Sequence, residues 1–136
     1  MSLNSWIKKY MPTEPSDCKT DLEAIEHSLL KYQGLRKGAI EEHGMARTGG
    51  QLVQKSNFSK RIGIMGMDTC ALCIRFNDST AKQSCAKCPL YQIGEHCLDE
   101  NSAYVEARYS RKSSRIIKVF KDLIKQCDAK GRWVQK

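Results

Sequence analysis

The cysteines of this chain have a spacing that could bind a metal ion. Cys70 and Cys73 are separated by two residues, and Cys85 and Cys88 repeat that spacing after eleven intervening residues. A turn with two residues between its cysteines directs both sulfur atoms at one ion, and two such turns supply the four ligands of a tetrahedral zinc site. The pattern therefore predicts that residues 70–97 form a knuckle around one structural Zn²⁺.

A fifth cysteine leaves the set of ligands open. Eight residues separate Cys97 from Cys88, so five thiols compete for four positions on the ion. Paired turns are the simplest geometry, and they favour the first four thiols: Cys70, Cys73, Cys85 and Cys88. A set in which Cys97 replaces Cys85 is the alternative, and His96 is a further neighbour of the site.

Other uses of the cysteines fit the sequence less well. The chain has seven cysteines, so a fully disulfide-paired scheme would leave one thiol over. The first ten residues lack the apolar core and cleavage site of a signal peptide, and no apolar run is long enough to span a bilayer. We therefore expect a cytoplasmic location, where thiols stay reduced and clustered pairs indicate metal. The spacing also fits neither ferredoxin pattern of iron–sulfur ligation.

The cysteine pattern resembles that of a family of small bacteriophage proteins of uncharacterised function. In that family a CxLC pair precedes a CxxCP motif, a glycine, a lone cysteine and a tyrosine. The corresponding residues here are Cys70-Ala-Leu-Cys73, Cys85-Ala-Lys-Cys88-Pro89, Gly94, Cys97 and Tyr104. Residues 25–35 resemble the leading helix of the same family. The resemblance implies a phage origin, and hence the host cytoplasm, together with a metal site, but it implies no reaction.

Positive charge is concentrated at the C-terminal end. The formal net charge is +8, and residues 103–136 contain 10 Lys and Arg against 3 Asp and Glu. On a helical wheel a basic arc lies opposite an apolar arc that contains Ile116, Phe120 and Leu123. A localised basic surface favours nucleic acid, an acidic protein or an acidic membrane face. We expect nucleic acid or a protein rather than a membrane as the partner, and the alternative is a solvated helix face. The candidate binding residues are Arg108, Arg111, Lys112, Arg115, Lys118, Lys121 and Lys125.

The fold expected for the whole chain is one small, α-rich domain. Hydrophobic residues make up 40% and charged residues 28%, which is the balance of a globular protein. The expected parts are N-terminal helices at 1–44, a loop or short ribbon at 45–69, the zinc knuckle at 70–97 and basic helices at 98–136. Within the second part, Gly49 and Gly50 mark a turn, and residues 51–54 and 61–67 could form brief strands.

Capping signals predict where the helices begin and end. Thr20 and Glu23 have the spacing of a capping box, and Gly34 can end a helix. Together they predict a helix from about Asp21 to Gln33. Further helices are expected at 6–11, at 37–43, at 103–110 after Ser102, and from Ser113 or Ser114 to Ala129.

These features favour a binding protein over an enzyme. An all-cysteine zinc site is usually closed to substrates, and the chain has no HExxH motif or phosphate-cradling glycine loop. The first hypothesis is a phage accessory or regulatory protein that binds nucleic acid or a nucleoprotein machine, with Tyr104, Tyr109 and Trp133 adding base stacking if they are exposed. The second is an inhibitor of a host defence, CRISPR or transcription protein that acts by protein–protein binding.

Overall fold

The computed structural model describes residues 2–64, 70–76, 88–95 and 100–134, and these residues form helices and a small antiparallel sheet. The helices are α1 (Leu3–Tyr10), α2 (Asp21–Gln33), α3 (Lys37–Glu42), α4 (Ala71–Phe76), α5 (Pro89–Gln92), α6 (Ala103–Tyr109) and α7 (Ser114–Lys125), with a 3₁₀ turn at Pro15–Asp17. The strands β1 (Met45–Thr48), β2 (Gln51–Gln54) and β3 (Asn57–Gly63) pair antiparallel in that order. The fold is therefore mixed α/β rather than α-rich as predicted, although the predicted helices are present.

Helix α2 forms where the capping pattern predicts, and it contacts three other helices. Thr20 caps it, because its hydroxyl oxygen accepts a hydrogen bond from the Glu23 amide at 3.1 Å. The helix packs against α1, α4 and α7, and the rings of Tyr32 and Phe120 lie 5.6 Å apart at the α7 contact. Because neighbours cover it on several sides, α2 buries polar side chains as well as apolar ones.

Helix α7 separates its side chains as the helical wheel predicts. Ile116, Phe120 and Leu123 are buried in the core, which confirms the predicted apolar arc. Ser113 occupies the N-cap position, but its buried hydroxyl makes no capping hydrogen bond. The helix is therefore held by packing of its apolar face rather than by the predicted side-chain cap.

The C-terminal tail folds back onto α2, which shortens α7. The helix ends at Lys125 instead of the predicted Ala129. The Asp128 carboxylate accepts hydrogen bonds from two later backbone amides, both at 2.9 Å, and so turns the chain before another helical turn can form. The amide of Trp133 then donates to the Asp21 carboxylate at 2.9 Å, which attaches the tail to the start of α2.

The sheet is larger than the ribbon predicted for residues 45–69. The turn at 49–50 and the strand β2 are confirmed. Strand β1 is missing from the prediction because its sequence, Met-Ala-Arg-Thr, has no alternation of apolar and polar residues. Its inward-facing positions are instead Met45 and Arg47, so a charged side chain takes a core position. The predicted strand residues 65–67 lie outside the described part of the chain.

The shorter helices lie close to their predicted positions. Helix α6 follows Ser102, whose hydroxyl accepts a hydrogen bond from the Val105 amide at 3.1 Å. Helix α1 begins earlier than predicted, because Ser2 and Ser5 exchange the hydrogen bonds of a capping box ahead of it. The indole nitrogen of Trp6 on α1 donates to the carbonyl of residue 34 at 2.8 Å, which ties α1 to the end of α2.

Gly34 and Gly38 offer a matched test of this packing. A Cβ added at Gly34 would overlap the ring of Tyr10, whereas a Cβ at Gly38 on α3 would meet no atom within 4 Å. We expect Gly34→Ala to lower the free energy of unfolding by about 1–3 kcal/mol, because the α1–α2 contact must open. Gly38→Ala should raise it by about 0.5–1 kcal/mol, because alanine restricts the unfolded chain. Urea unfolding of both variants measures the difference, and equal effects would contradict the α1–α2 contact.

Candidate functional site

Cys70 and Cys73 lie together where α4 begins, as the metal prediction requires. Helix α4 starts directly after Cys70, and the amide of Ile74 donates to the Cys70 carbonyl at 3.0 Å. A hydrogen bond from the Cys73 side chain is the largest cause that lowers the pKa of Cys70 to about 6. Burial of the thiol opposes this shift, while Lys31 and the backbone amides of Cys73 and Leu72 reinforce it. The surroundings of Cys70 thus favour the thiolate, the form that binds metal.

A buried lysine supplies positive charge beside these thiols. Lys31 on α2 is only 1% exposed. Burial lowers the pKa of its ammonium group, and the neighbouring Cys70 and Cys73 thiols act in the opposite direction. Four thiolates around Zn²⁺ carry a net negative charge, so an ammonium group next to the first pair would compensate part of it. The sequence pattern did not single out Lys31, because lysine on a helix is ordinarily solvent-exposed.

An ion pair fixes α4 against α2. Arg75 on α4 donates through Nε to the Asp21 carboxylate at 2.6 Å. The side chains of Ala71 and Leu72, which follow the first cysteine, are fully buried. The position of the first Cys-x-x-Cys pair is therefore set by contacts with the rest of the domain as well as by its own turn.

The remaining predicted ligands are described only in part. Cys88 is buried at the start of α5, where Pro89 occupies the first helical position. Within residues 2–64, 70–76, 88–95 and 100–134, no three His, Cys, Asp or Glu side chains lie close enough together to hold a metal ion. Cys85, Cys97 and the neighbouring His96 fall outside those ranges. The structure therefore brings together Cys70 and Cys73 and does not add Cys88 to them as a third ligand.

The predicted basic residues are mostly exposed. Arg108 is half-buried, and the others are open to solvent: Arg111, Lys112, Arg115, Lys118, Lys121 and Lys125. The three lysines of α7 form no ion pair within the described chain. Their side chains are directed away from the buried apolar face of the helix, which confirms the predicted separation of the two arcs.

Arg115 differs from these lysines because it is engaged within the protein. Its guanidinium donates to the Glu95 carboxylate at 2.7 Å and lies 3.8 Å from that of Glu106. It also donates to the carbonyl of Asn101 at 3.0 Å, and Glu95 accepts a further hydrogen bond from the Ala103 amide at 3.0 Å. Arg115 thus connects α5, α6 and α7, and its removal would change local structure as well as surface charge.

An exposed aromatic ring accompanies the basic residues at the connection between α6 and α7. Tyr109 is 71% exposed, and the guanidinium carbon of Arg108 lies 5.3 Å from the centre of its ring. Tyr104 and Trp133, the other aromatic residues predicted to stack, are half-buried. Of the three, Tyr109 is therefore the one whose ring is open to a base or another planar group.

A serine and a histidine also meet in the structure. Ser5 Oγ lies 2.9 Å from His43 Nδ1, at a distance that would suit a nucleophile and its base. The Ser5 hydroxyl, however, donates to the Ser2 carbonyl at 2.8 Å and accepts from the Ser2 amide at 2.9 Å. Its proton is committed to the cap of α1, so the pair belongs to a helix cap and gives no argument for catalysis.

Comparison with known proteins adds no assignment. No family model, curated protein or solved structure matches the chain. Within the described residues, no helix has the length and apolar character needed to cross a membrane. The function must therefore be argued from the cysteine pair, the basic residues and the exposed tyrosine.

Proposed function

We propose that the protein is a non-enzymatic, zinc-stabilised phage protein that binds nucleic acid or a nucleoprotein machine. The observation that carries the proposal is the exposed Tyr109 ring beside Arg108, followed directly by the exposed Arg111 and Lys112. Cations bind the phosphates without regard to sequence, and an aromatic ring stacks on bases. An exposed ring flanked by cations is the combination that single-stranded nucleic acid would recognise.

The α7 lysines extend this positive surface. Lys118, Lys121 and Lys125 project from one side of the helix and have no ion pair within the described chain. A cation without a carboxylate partner can neutralise a phosphate without first losing an internal bond. Arg115 is a weaker candidate for this role, because its guanidinium is already held by carboxylates.

Zinc serves the fold in this proposal. The ion would be held by Cys70, Cys73, Cys88 and one of Cys85 and Cys97, which requires Cys88 to lie closer to the first pair than it does in the described structure. The Lys31 ammonium would offset part of the charge. A structural zinc would join the segments around α4 and α5, which are too short to be stable helices alone. The basic helices α6 and α7 would then be presented by a rigid domain.

Neutralising the α7 lysines tests the proposal. Lys118→Gln, Lys121→Gln and Lys125→Gln combined should weaken binding to a single-stranded oligonucleotide at least tenfold at about 100 mM salt. The slope of log affinity against log salt should fall by about 2–3, because each lost phosphate contact removes roughly one counterion. Fluorescence anisotropy across a salt series measures both quantities.

A matched control separates a local surface from overall charge. Lys8→Gln, Lys19→Gln and Lys60→Gln remove the same charge from exposed positions on α1, before α2 and on β3. We expect this variant to bind nearly as tightly as the wild type. Equal losses in both triple variants would contradict a defined binding surface. Tight capture of one host protein without affinity for nucleic acid would instead support the alternative, an inhibitor of a host protein.

A further inference from the structure

One buried arginine has no counter-ion among the described residues. Arg47 on β1 is 7% exposed, and its Nη2 donates to the carbonyl of Arg108 at 3.1 Å. Within the described chain, its Nε and Nη1 groups have no hydrogen-bond partner and its guanidinium forms no ion pair. A buried guanidinium with unsatisfied donors is costly, so this side chain indicates a missing acceptor.

The surroundings of Arg47 raise the positive potential further. Burial is the largest cause that lowers its pKa, and both Arg111 and Arg108 act in the same direction. The hydroxyls of Tyr32 and Tyr104 lie near enough to oppose that shift. Arg108 and Arg111 thus add positive charge near Arg47, and the described chain offers no carboxylate to its Nε and Nη1 groups. Such an arrangement is stabilised when an anion binds.

Arg47 is also one of the residues that line an open cleft. The cleft has a volume of about 410 Å³ and lies between α3, β1, the turn after β2 and the connection that follows α6. Its cationic lining residues are Lys37, Arg47, Lys55 and Arg111, and Glu41 is the single acidic one. Apolar side chains form the rest of the wall. The chemistry is that of a site for a compact, multiply charged anion.

We propose that this cleft binds a phosphate group, with Arg47 as the buried anchor and Lys37, Lys55 and Arg111 at the entrance. Arginine is the side chain best suited to phosphate oxygens, because its planar guanidinium directs several N–H groups at once. The phosphate comes either from nucleic acid, in which case the inference rests on the proposed function, or from free phosphate. Arg111 belongs both to this cleft and to the basic segment that follows Tyr109, so the cleft adjoins that segment.

Inorganic phosphate is the first probe. Thermal unfolding is followed in phosphate and in chloride at matched ionic strength and pH, because phosphate also stabilises proteins non-specifically. Phosphate at ten times its dissociation constant should raise the midpoint of the wild type by about 5 °C. Arg47→Met should abolish that rise, while Arg61→Met, an exposed arginine on β3, should preserve it.

The same experiment distinguishes an anchor from a structural arginine. In chloride, Arg47→Met should melt at the wild-type midpoint or higher, because methionine fills the space of the stem and removes a buried unpaired charge. A variant that melts lower in chloride yet keeps the phosphate-dependent rise would overturn the inference. Lys55 is exposed, so Lys55→Gln should fold normally and can test the site even if Arg47→Met does not fold. Calorimetry should show that Lys55→Gln binds phosphate several-fold more weakly than the wild type.

The source of the phosphate is decided with oligonucleotides. If a terminal phosphate occupies the cleft, a 5′-phosphorylated strand should bind more tightly than the same strand with a 5′-hydroxyl. Added inorganic phosphate should then remove that difference in affinity. If phosphate raises the midpoint but the protein binds no oligonucleotide, the cleft is a site for free phosphate. That result would contradict the proposed function but not the cleft. Oligonucleotide binding with no phosphate-dependent rise in the wild type would overturn the cleft and leave the proposed function standing.

Discussion

Replacing Cys70 by serine is expected to release zinc from the protein and to lower its thermal midpoint by roughly 10 °C or more. The free energy of binding a structural zinc is free energy of folding, so loss of one ligand removes a large share of the stability. Cys70 should be among the most sensitive ligands, because its environment holds its pKa near 6 and thus prepares the thiolate. Elemental analysis and thermal unfolding of the purified variant measure the two effects.

Two comparisons control this prediction. Cys127→Ser changes a half-buried thiol at the end of α7, outside the knuckle, and should leave the zinc content at about one per chain. Cys85→Ser and Cys97→Ser should differ from each other, because the ion has one position left after Cys70, Cys73 and Cys88. Wild-type protein that contains no metal, or whose melting curve is unchanged by a chelator, would exclude a structural zinc.

Replacing Phe120 by alanine is expected to lower the free energy of unfolding by about 3–5 kcal/mol. Phe120 is 1% exposed and packs against Tyr32, so its removal leaves a cavity between α7 and α2. Phe58→Ala is the matched control, since Phe58 is 68% exposed near the start of β3 and should change stability by less than about 0.5 kcal/mol. Urea unfolding measures both, and a cost below about 1 kcal/mol for Phe120→Ala would contradict the packing of α7 on α2.

Local sequence signals were sufficient to predict the start of α2 and the buried face of α7. Helix α2 begins after Thr20 because a side-chain cap fixes its first turn, and α7 buries Phe120 because the apolar period is strong. The end of α7 could not be predicted in the same way. It depends on a local turn at Asp128 and on the hydrogen bond between the Trp133 amide and Asp21, two residues that are far apart in the chain.

The buried cations of the two candidate sites, Lys31 beside the thiols and Arg47 in the cleft, could not be predicted from local sequence signals either. Lys31 and Arg47 are of residue types that are ordinarily exposed, and neither lies in a motif. Lys31 is buried because α4 covers that side of α2, and Arg47 because the unpredicted strand β1 turns it inward. Sequence spacing could identify the thiols, but only the tertiary structure places the Lys31 cation beside Cys70 and leaves two Arg47 nitrogens without an acceptor in the described chain.

The most direct test of the account is the salt dependence of nucleic-acid binding by the zinc-loaded wild-type protein. If α7 and the connection before it contact four or more phosphates of a single strand, log affinity should fall with log salt at a slope of about −3 or steeper. Affinity should then drop roughly 50-fold between about 50 and 200 mM salt. Fluorescence anisotropy of a labelled single-stranded oligonucleotide gives the slope. No binding at about 50 mM salt, or binding that salt does not weaken, would contradict nucleic acid as the partner of this surface.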